Sequence, residues 1–125
     1  MATMALTAEN FEQTVLENDT VIIDFWASWC GPCRGFAPTF EDASNRFPDI
    51  VFAKVDTEEQ QALAAYFGIQ SIPTLMVFRQ QIGIFQQAGA LPPAAFEELI
   101  GKVQELDMDG VRRKIEEEKA GTAEA

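Results

Sequence analysis

The chain holds two cysteines and no histidine, and the cysteines stand three apart in Trp29-Cys30-Gly31-Pro32-Cys33. This stretch follows the apolar run 21–27 and precedes a segment with a helical pattern, so the thiols fall at a strand-to-helix corner. Free N–H groups and the helix dipole place partial positive charge at such a corner, which favours a thiolate over a thiol. The thiolate is the attacking species. By position Cys30, at the mouth of the turn, is the nucleophile. Cys33, one helical turn inside, is suited to resolve a mixed disulfide. With two residues between them the thiols can also close on each other, so the pair can hold or release two electrons.

Two blander readings compete. Zinc takes four ligands, mostly Cys and His, and one chain cannot supply them here; a site shared between chains stays open. A purely structural disulfide would close a loop too short to remove much unfolded-state entropy. Redox chemistry is the stronger reading, with no metal and no bound cofactor expected.

At 125 residues and 47% apolar, the chain fits one compact domain. No apolar run approaches the twenty residues of a membrane span. Residues 1–10 lack the basic and apolar regions of a signal peptide. A reducing, cytoplasmic setting is therefore expected, where a Cys-x-x-Cys pair is more often catalytic than structural. The net charge is −11, from twenty acids and nine bases. Residues 1–104 contribute −8 and residues 105–125 contribute −3, so acidity belongs to the body as well as the tail. Such a surface repels phosphate backbones, which argues against nucleic-acid and anionic-membrane partners and favours partners with basic patches.

Hydrophobic patterning supplies the elements that must hold the thiols. Residues 4–6 form a short edge strand, and Thr7 caps a helix carrying Phe11 and Val15 that stops near Asn18-Asp19. A buried strand spans 20–27. The helix from Cys33 to Phe47 presents Phe36, Phe40, Ala43 and Phe47 on one face, with a kink expected at Pro38. A strand covers 50–56, Thr57 and Gln60 have the form of a capping box, and the next helix buries Leu63, Ala64 and Phe67 before Gly68. This β-α-β-α-β order predicts parallel pairing. Strands at 74–78 and 84–88 follow, joined either by a two-residue turn, for which Arg79-Gln80-Gln81 gives a weak signal, or by a longer turn or bulge at Gly83. A helix opening at Leu91-Pro92-Pro93 carries the stripe Phe96, Leu99, Ile100, Val103 and Leu106. In the tail, 107–125, Met108, Val111 and Ile115 suggest a further amphipathic helix weakened by Gly110, with 119–125 frayed.

Asp24 interrupts the buried strand. It either faces solvent by alternation or is a buried acid, whose carboxyl would be driven toward neutrality. Lys54, taken alone, reads as a solvated lysine on a strand.

The residues 24–34, Asp-Phe-Trp-Ala-Ser-Trp-Cys-Gly-Pro-Cys-Arg, with Ala37-Pro38, Ser71-Ile72-Pro73-Thr74 and Gly89-Ala90-Leu91, resemble the thioredoxin family in one register from about Leu6 to Leu106. The resemblance implies an α/β thioredoxin fold, a central mixed β-sheet flanked by helices in three α/β/α layers, in a domain of residues 1–106 with an acidic, partly helical extension at 107–125. It makes Asp24 a buried proton acceptor for Cys33 and Lys54 a nearby charge that tunes it. It implies a cis bond before Pro73, beside the thiols, and a client groove lined by Trp29, Gly31, Pro32, Ile72, Pro73, Gly89 and Ala90. Trp26 is as easily plain core. Gly35 departs from the bulkier family residue and reads as a tolerated surface glycine.

The implied activity is protein disulfide reduction by a monomer, with thioredoxin reductase restoring the dithiol and disulfide-containing proteins as clients. Two rivals remain at the level of sequence. One is a binding subunit or adaptor in which the thiols are incidental, and the other is an oxidant or isomerase of disulfides. Function for the tail is open, between a partner helix and a solubilising appendage.

Overall fold

The computed structural model describes residues 2–124. Five strands, β1 (Thr3–Ala5), β2 (Thr20–Trp26), β3 (Val51–Asp56), β4 (Thr74–Arg79) and β5 (Ile82–Ala88), form one sheet in the order β1-β3-β2-β4-β5. Helices α1 (Phe11–Glu17), α2 (Gly31–Arg46), α3 (Gln61–Tyr66), α4 (Pro93–Glu105) and α5 (Met108–Glu124) connect and extend it.

Strand alternation sends successive β2 side chains to opposite faces, and each face has its own core. Ile22, with Phe52, Leu75 and Val77, packs against Phe36 and Phe40 of α2 and Phe96, Ile100 and Val103 of α4. Val21, Ile23 and Phe25 pack on the other side with Leu63 of α3, and Phe11 of α1 lies against them. The helices thus sit in two layers around the sheet, as the resemblance implied.

The expected parallel pairing holds for β1, β3 and β2, but β4 runs antiparallel to β2. The reason is length. A six-residue α3 rises about 9 Å, whereas β3 climbs about 20 Å, so α3 cannot return the chain to the start of the sheet. Strand β4 therefore begins at the end where β3 finishes and runs back.

Several local expectations change. Helix α1 begins at Phe11, after a turn in which Thr7 Oγ1 accepts from the Asn10 N–H and Asn10 Oδ1 accepts from the Thr7 N–H. The Thr57–Gln60 capping box does not form. Asp56 Oδ1 accepts from the N–H groups of Glu58 and Glu59, Thr57 Oγ1 donates to the Trp26 carbonyl, and Gln60 Oε1 accepts from the Ala8 N–H. Asp56 wins because a carboxylate two residues ahead reaches the turn's free donors directly.

Helix α2 continues across Pro38 from Gly31 to Arg46. The β4–β5 connection is a two-residue turn after all: Gln80 and Gln81 both take positive φ, 49° and 72°, the twist that matches flanking strands. Its backbone is fixed by the Gln80 N–H donating to the Asp19 carbonyl at 2.7 Å. The bulge falls in the strands, where Val77 pairs with Phe85 and Phe78 with Gly83, leaving Ile84 extra. Gly110 does not break α5, which runs through the region expected to fray. A Cβ at Gly110 would lie 2.8 Å from Asp107 Oδ2, so glycine leaves room for that carboxylate over the first turn. The last residue of the tail, Ala125, lies outside the described residues.

Candidate active site

Strand β2 ends at Trp26, and the chain turns through Ala27–Trp29 to place Cys30 as the N-cap of α2. Pro32 in the first turn suits this position, since its missing N–H would have no helical partner there. The Cys33 N–H points at Cys30 Sγ, 3.2 Å away. An amide aimed at a sulfur stabilises it as an anion, and the α2 dipole adds to that effect. The two cysteines are joined as a disulfide with Cα atoms 5.2 Å apart. In this oxidised state both sulfurs are covered, Cys30 at 4% and Cys33 at 2% exposure, while Gly31 and Pro32 stand in solvent. The disulfide form thus covers Cys30, at the mouth of the turn, as fully as Cys33 inside the helix.

Three segments distant in sequence meet here. Cys30 Sγ lies 3.7 Å from the Ile72 carbonyl oxygen. The Ile72–Pro73 bond is cis. The Pro73 carbonyl accepts from the Gly89 N–H at 2.8 Å, with Gly89 at φ 106°, a backbone conformation that glycine adopts without cost. Ala90 is exposed beside it. Trp29 is 65% exposed, and its indole Nε1–H donates to Glu58 Oε1 at 3.3 Å. Sequence reasoning missed Glu58, and also Arg34, whose guanidinium donates to the Ser28 carbonyl at 2.8 Å and pins the turn before the cysteines. No spacing rule marks either residue; both contacts depend on how the loops meet.

Asp24 shares the sheet face of Ile22, the face covered by α2, and is displaced from it toward the end of β2 that carries the dithiol. It is buried, at 1% exposure, and its Oδ1 has no hydrogen-bond partner. Of the two readings left by the sequence, burial is correct. Desolvation pushes its carboxyl up to about 7, against the pull of the Lys54 ammonium. Lys54 is Asp24's register neighbour on β3, and its Nζ sits 4.7 Å over the half-buried Trp26 ring. Among the described residues, no cluster of three or more His, Cys, Asp or Glu side chains could hold a metal ion. No helix among them is long and apolar enough to cross a membrane.

An α/β sheet with a Cys-x-x-Cys pair at a helix N-terminus, facing a cis-proline, defines a thiol–disulfide oxidoreductase. The thioredoxin family model matches residues 2–102, and the chain is 56% identical over 119 residues to the putative thioredoxin 2 of Streptomyces coelicolor, covering 95% of this chain and 89% of that one. Among solved structures, a mutant thioredoxin from Halobacterium salinarum aligns with a TM-score of 0.76 at 32% identity, over 84% of this chain and 93% of that one. Another, from a study of thiol resolution in yeast mitochondrial 1-Cys peroxiredoxin via glutathione and thioredoxin systems, aligns at 0.74 and 29% identity, over 81% and 95%. The chain belongs to the thioredoxin family. Its activity is protein disulfide reduction by dithiol–disulfide exchange through the Cys-x-x-Cys pair.

Proposed function

We propose that Cys30 is the attacking thiol of a cytoplasmic, monomeric electron donor, and that Cys33 resolves. The observation that carries this assignment is the Cys33 N–H held 3.2 Å from Cys30 Sγ at the start of α2, which favours negative charge on Cys30 and not on Cys33. The Cys30 thiolate attacks one sulfur of a client disulfide, forming a mixed disulfide and releasing the other client sulfur as a thiolate. Cys33 then passes its proton to Asp24 and attacks Cys30 Sγ. The second client sulfur leaves as a thiolate, and the Cys30–Cys33 disulfide forms as the client gains the two electrons. A carboxyl near pH 7 is matched to that transfer, and Lys54 offsets part of the charge Asp24 loses or gains.

The client lies across Trp29, Gly31, Pro32, Ile72, Pro73, Gly89 and Ala90. The backbone of Ile72 supplies main-chain hydrogen bonding to an extended segment, which tolerates many client sequences. A thioredoxin reductase returns the electrons, and residues 1–106 suffice for the cycle.

The test is Cys33→Ser combined with a disulfide-reduction assay coupled to a thioredoxin reductase and NADPH. Wild type turns over. The variant stops after one attack and accumulates mixed disulfides through Cys30 that are visible on non-reducing gels. Turnover by wild type with no trapped adduct in the variant would reverse the two roles.

A further inference from the structure

The charged residues are unevenly placed. From Gln60 to Phe96 the sequence contains one, Arg79, and Arg79 is buried. In a chain with 29 charged residues, this leaves α3, the 67–73 loop, β4, β5 and the Gly89 loop with an uncharged surface that reaches the dithiol. Within it lies a groove of about 390 Å³ lined by Phe67, Met76, Phe78, Gly83, Ile84 and Gln86. It lies at the β5 edge of the sheet, on the α1/α3 side, where Phe67 and Phe78 are only half covered; Ile84, the extra residue of the bulge, is also half covered and packs against the opposite core. Gln86 Nε2–H donates to the Phe67 carbonyl and links β5 to the end of α3. Tyr66 beside it is 80% exposed, its ring 4.9 Å from that of Phe67.

Strand β5 leads from the groove to the redox site. Gly89, bonded to Pro73, stands three residues along β5 from Gln86, a distance of about 10 Å. We propose that this groove is a second docking point for clients, taking an apolar side chain from the segment that flanks the client's disulfide. The proposal rests on the reading that clients lie along Ile72 and Pro73. A client chain extended past those residues reaches the near end of the groove, at Gln86 and Met76, within three to five residues of its attacked cysteine. Apolar burial supplies the attraction. With no charge on either wall, the contact is indifferent to salt, while the acidic remainder of the surface takes no part in it.

Gly83 provides a direct probe. A Cβ there would meet the Phe78 ring at 3.5 Å, ordinary contact, and its φ is not in the left-handed region, so Gly83→Leu fills the groove without backbone strain. Two synthetic peptides with one intrapeptide disulfide are compared, carrying leucines or serines at positions three to five on both sides of it. Wild type is expected to reduce the leucine peptide with a kcat/KM about tenfold higher, through KM, at low and high salt alike. Gly83→Leu should abolish that preference while reducing the serine peptide at the wild-type rate. Gln86→Lys, which keeps a donor toward the Phe67 carbonyl and puts charge on the exposed groove wall, should act the same way. Equal rates for the two peptides in wild type, or a preference that survives both substitutions, overturns the groove. Failure of wild type to reduce either peptide overturns the exchange reading and the groove with it.

Discussion

Two buried ionisable groups at opposite parts of the same sheet are treated in opposite ways. Asp24, near the dithiol, has a carboxylate oxygen with no hydrogen-bond partner, and its carboxyl is raised to about 7. Arg79, at the far end of β4, is fully engaged: its guanidinium donates to Asp19 Oδ2 at 3.0 Å and to the Val103 carbonyl at the end of α4. Asp19 in turn is held below its usual value, chiefly by the Thr20 hydroxyl and then by Arg79. A paired ion fastens elements together. An unpaired one costs stability and stays free to take up or give a proton.

The largest effect that would sharpen this contrast concerns Asp24. Unfolded, its carboxyl titrates near 3.8; folded, near 7. Between those values the folded state holds a proton that the unfolded state has lost, so stability falls as pH rises through the window. Above pH 7 the full cost of the buried charge is present. Asp24→Asn should therefore raise unfolding stability by about 4 kcal/mol at pH 8 and change it little at pH 4. Denaturant unfolding at both pH values checks this, and an equal gain at each would mean that packing, not charge, is responsible. The same variant should slow resolution by Cys33 more than attack by Cys30 in single-turnover measurements at neutral pH.

The converse substitution is Arg79→Met. It removes both hydrogen bonds and leaves the Val103 carbonyl with one donor fewer, at an expected cost of about 2 kcal/mol with no change in disulfide reduction. Asp19 remains half exposed, so water takes over its solvation and keeps the loss moderate. A fall in activity without a fall in stability would break the division between a fastened end and a working end.

These two residues also mark what the chain reveals by itself. Asp24 stands out because a carboxylate inside an apolar run is rare, and local pattern exposes it. Cys30 and Cys33 are legible for the same reason, as are the helices whose apolar stripes face the sheet. Arg79 follows the strand's last apolar residue and reads as an ordinary turn residue; its partners lie 60 and 24 positions away, and no period encodes that. The Asp56 cap, the Glu58 contact to Trp29 and the direction of β4 escape for related reasons. Each is decided by where loops and short helices deliver the chain, and a short α3 settles the last. The Gln80-Gln81 turn is hidden because glutamine carries no signal for positive φ, and Ile82 opposite Arg79 closes it all the same.

The smallest expected effect concerns α5. It is attached at the fastened end: Met108 is buried, and Arg112 donates to Gln80 in the β4–β5 turn and to Asp109 on its own helix. Among the described residues, none of its side chains belongs to either core cluster. Arg79 pairs with Thr20, six residues along β2 from Trp26, which puts the attachment about 20 Å from the turn that carries the cysteines. Ending the chain at Leu106 should then cost about 1 kcal/mol, mostly from exposing the Met108 site, because the Arg112 contacts are half exposed and worth little. The kcat/KM for a client without apolar flanks should be unchanged, since the helix is anchored away from every segment that meets Cys30. A truncated chain that keeps its melting temperature but loses client turnover would place α5 among the client contacts, and the two ends of the sheet would no longer be separate in function.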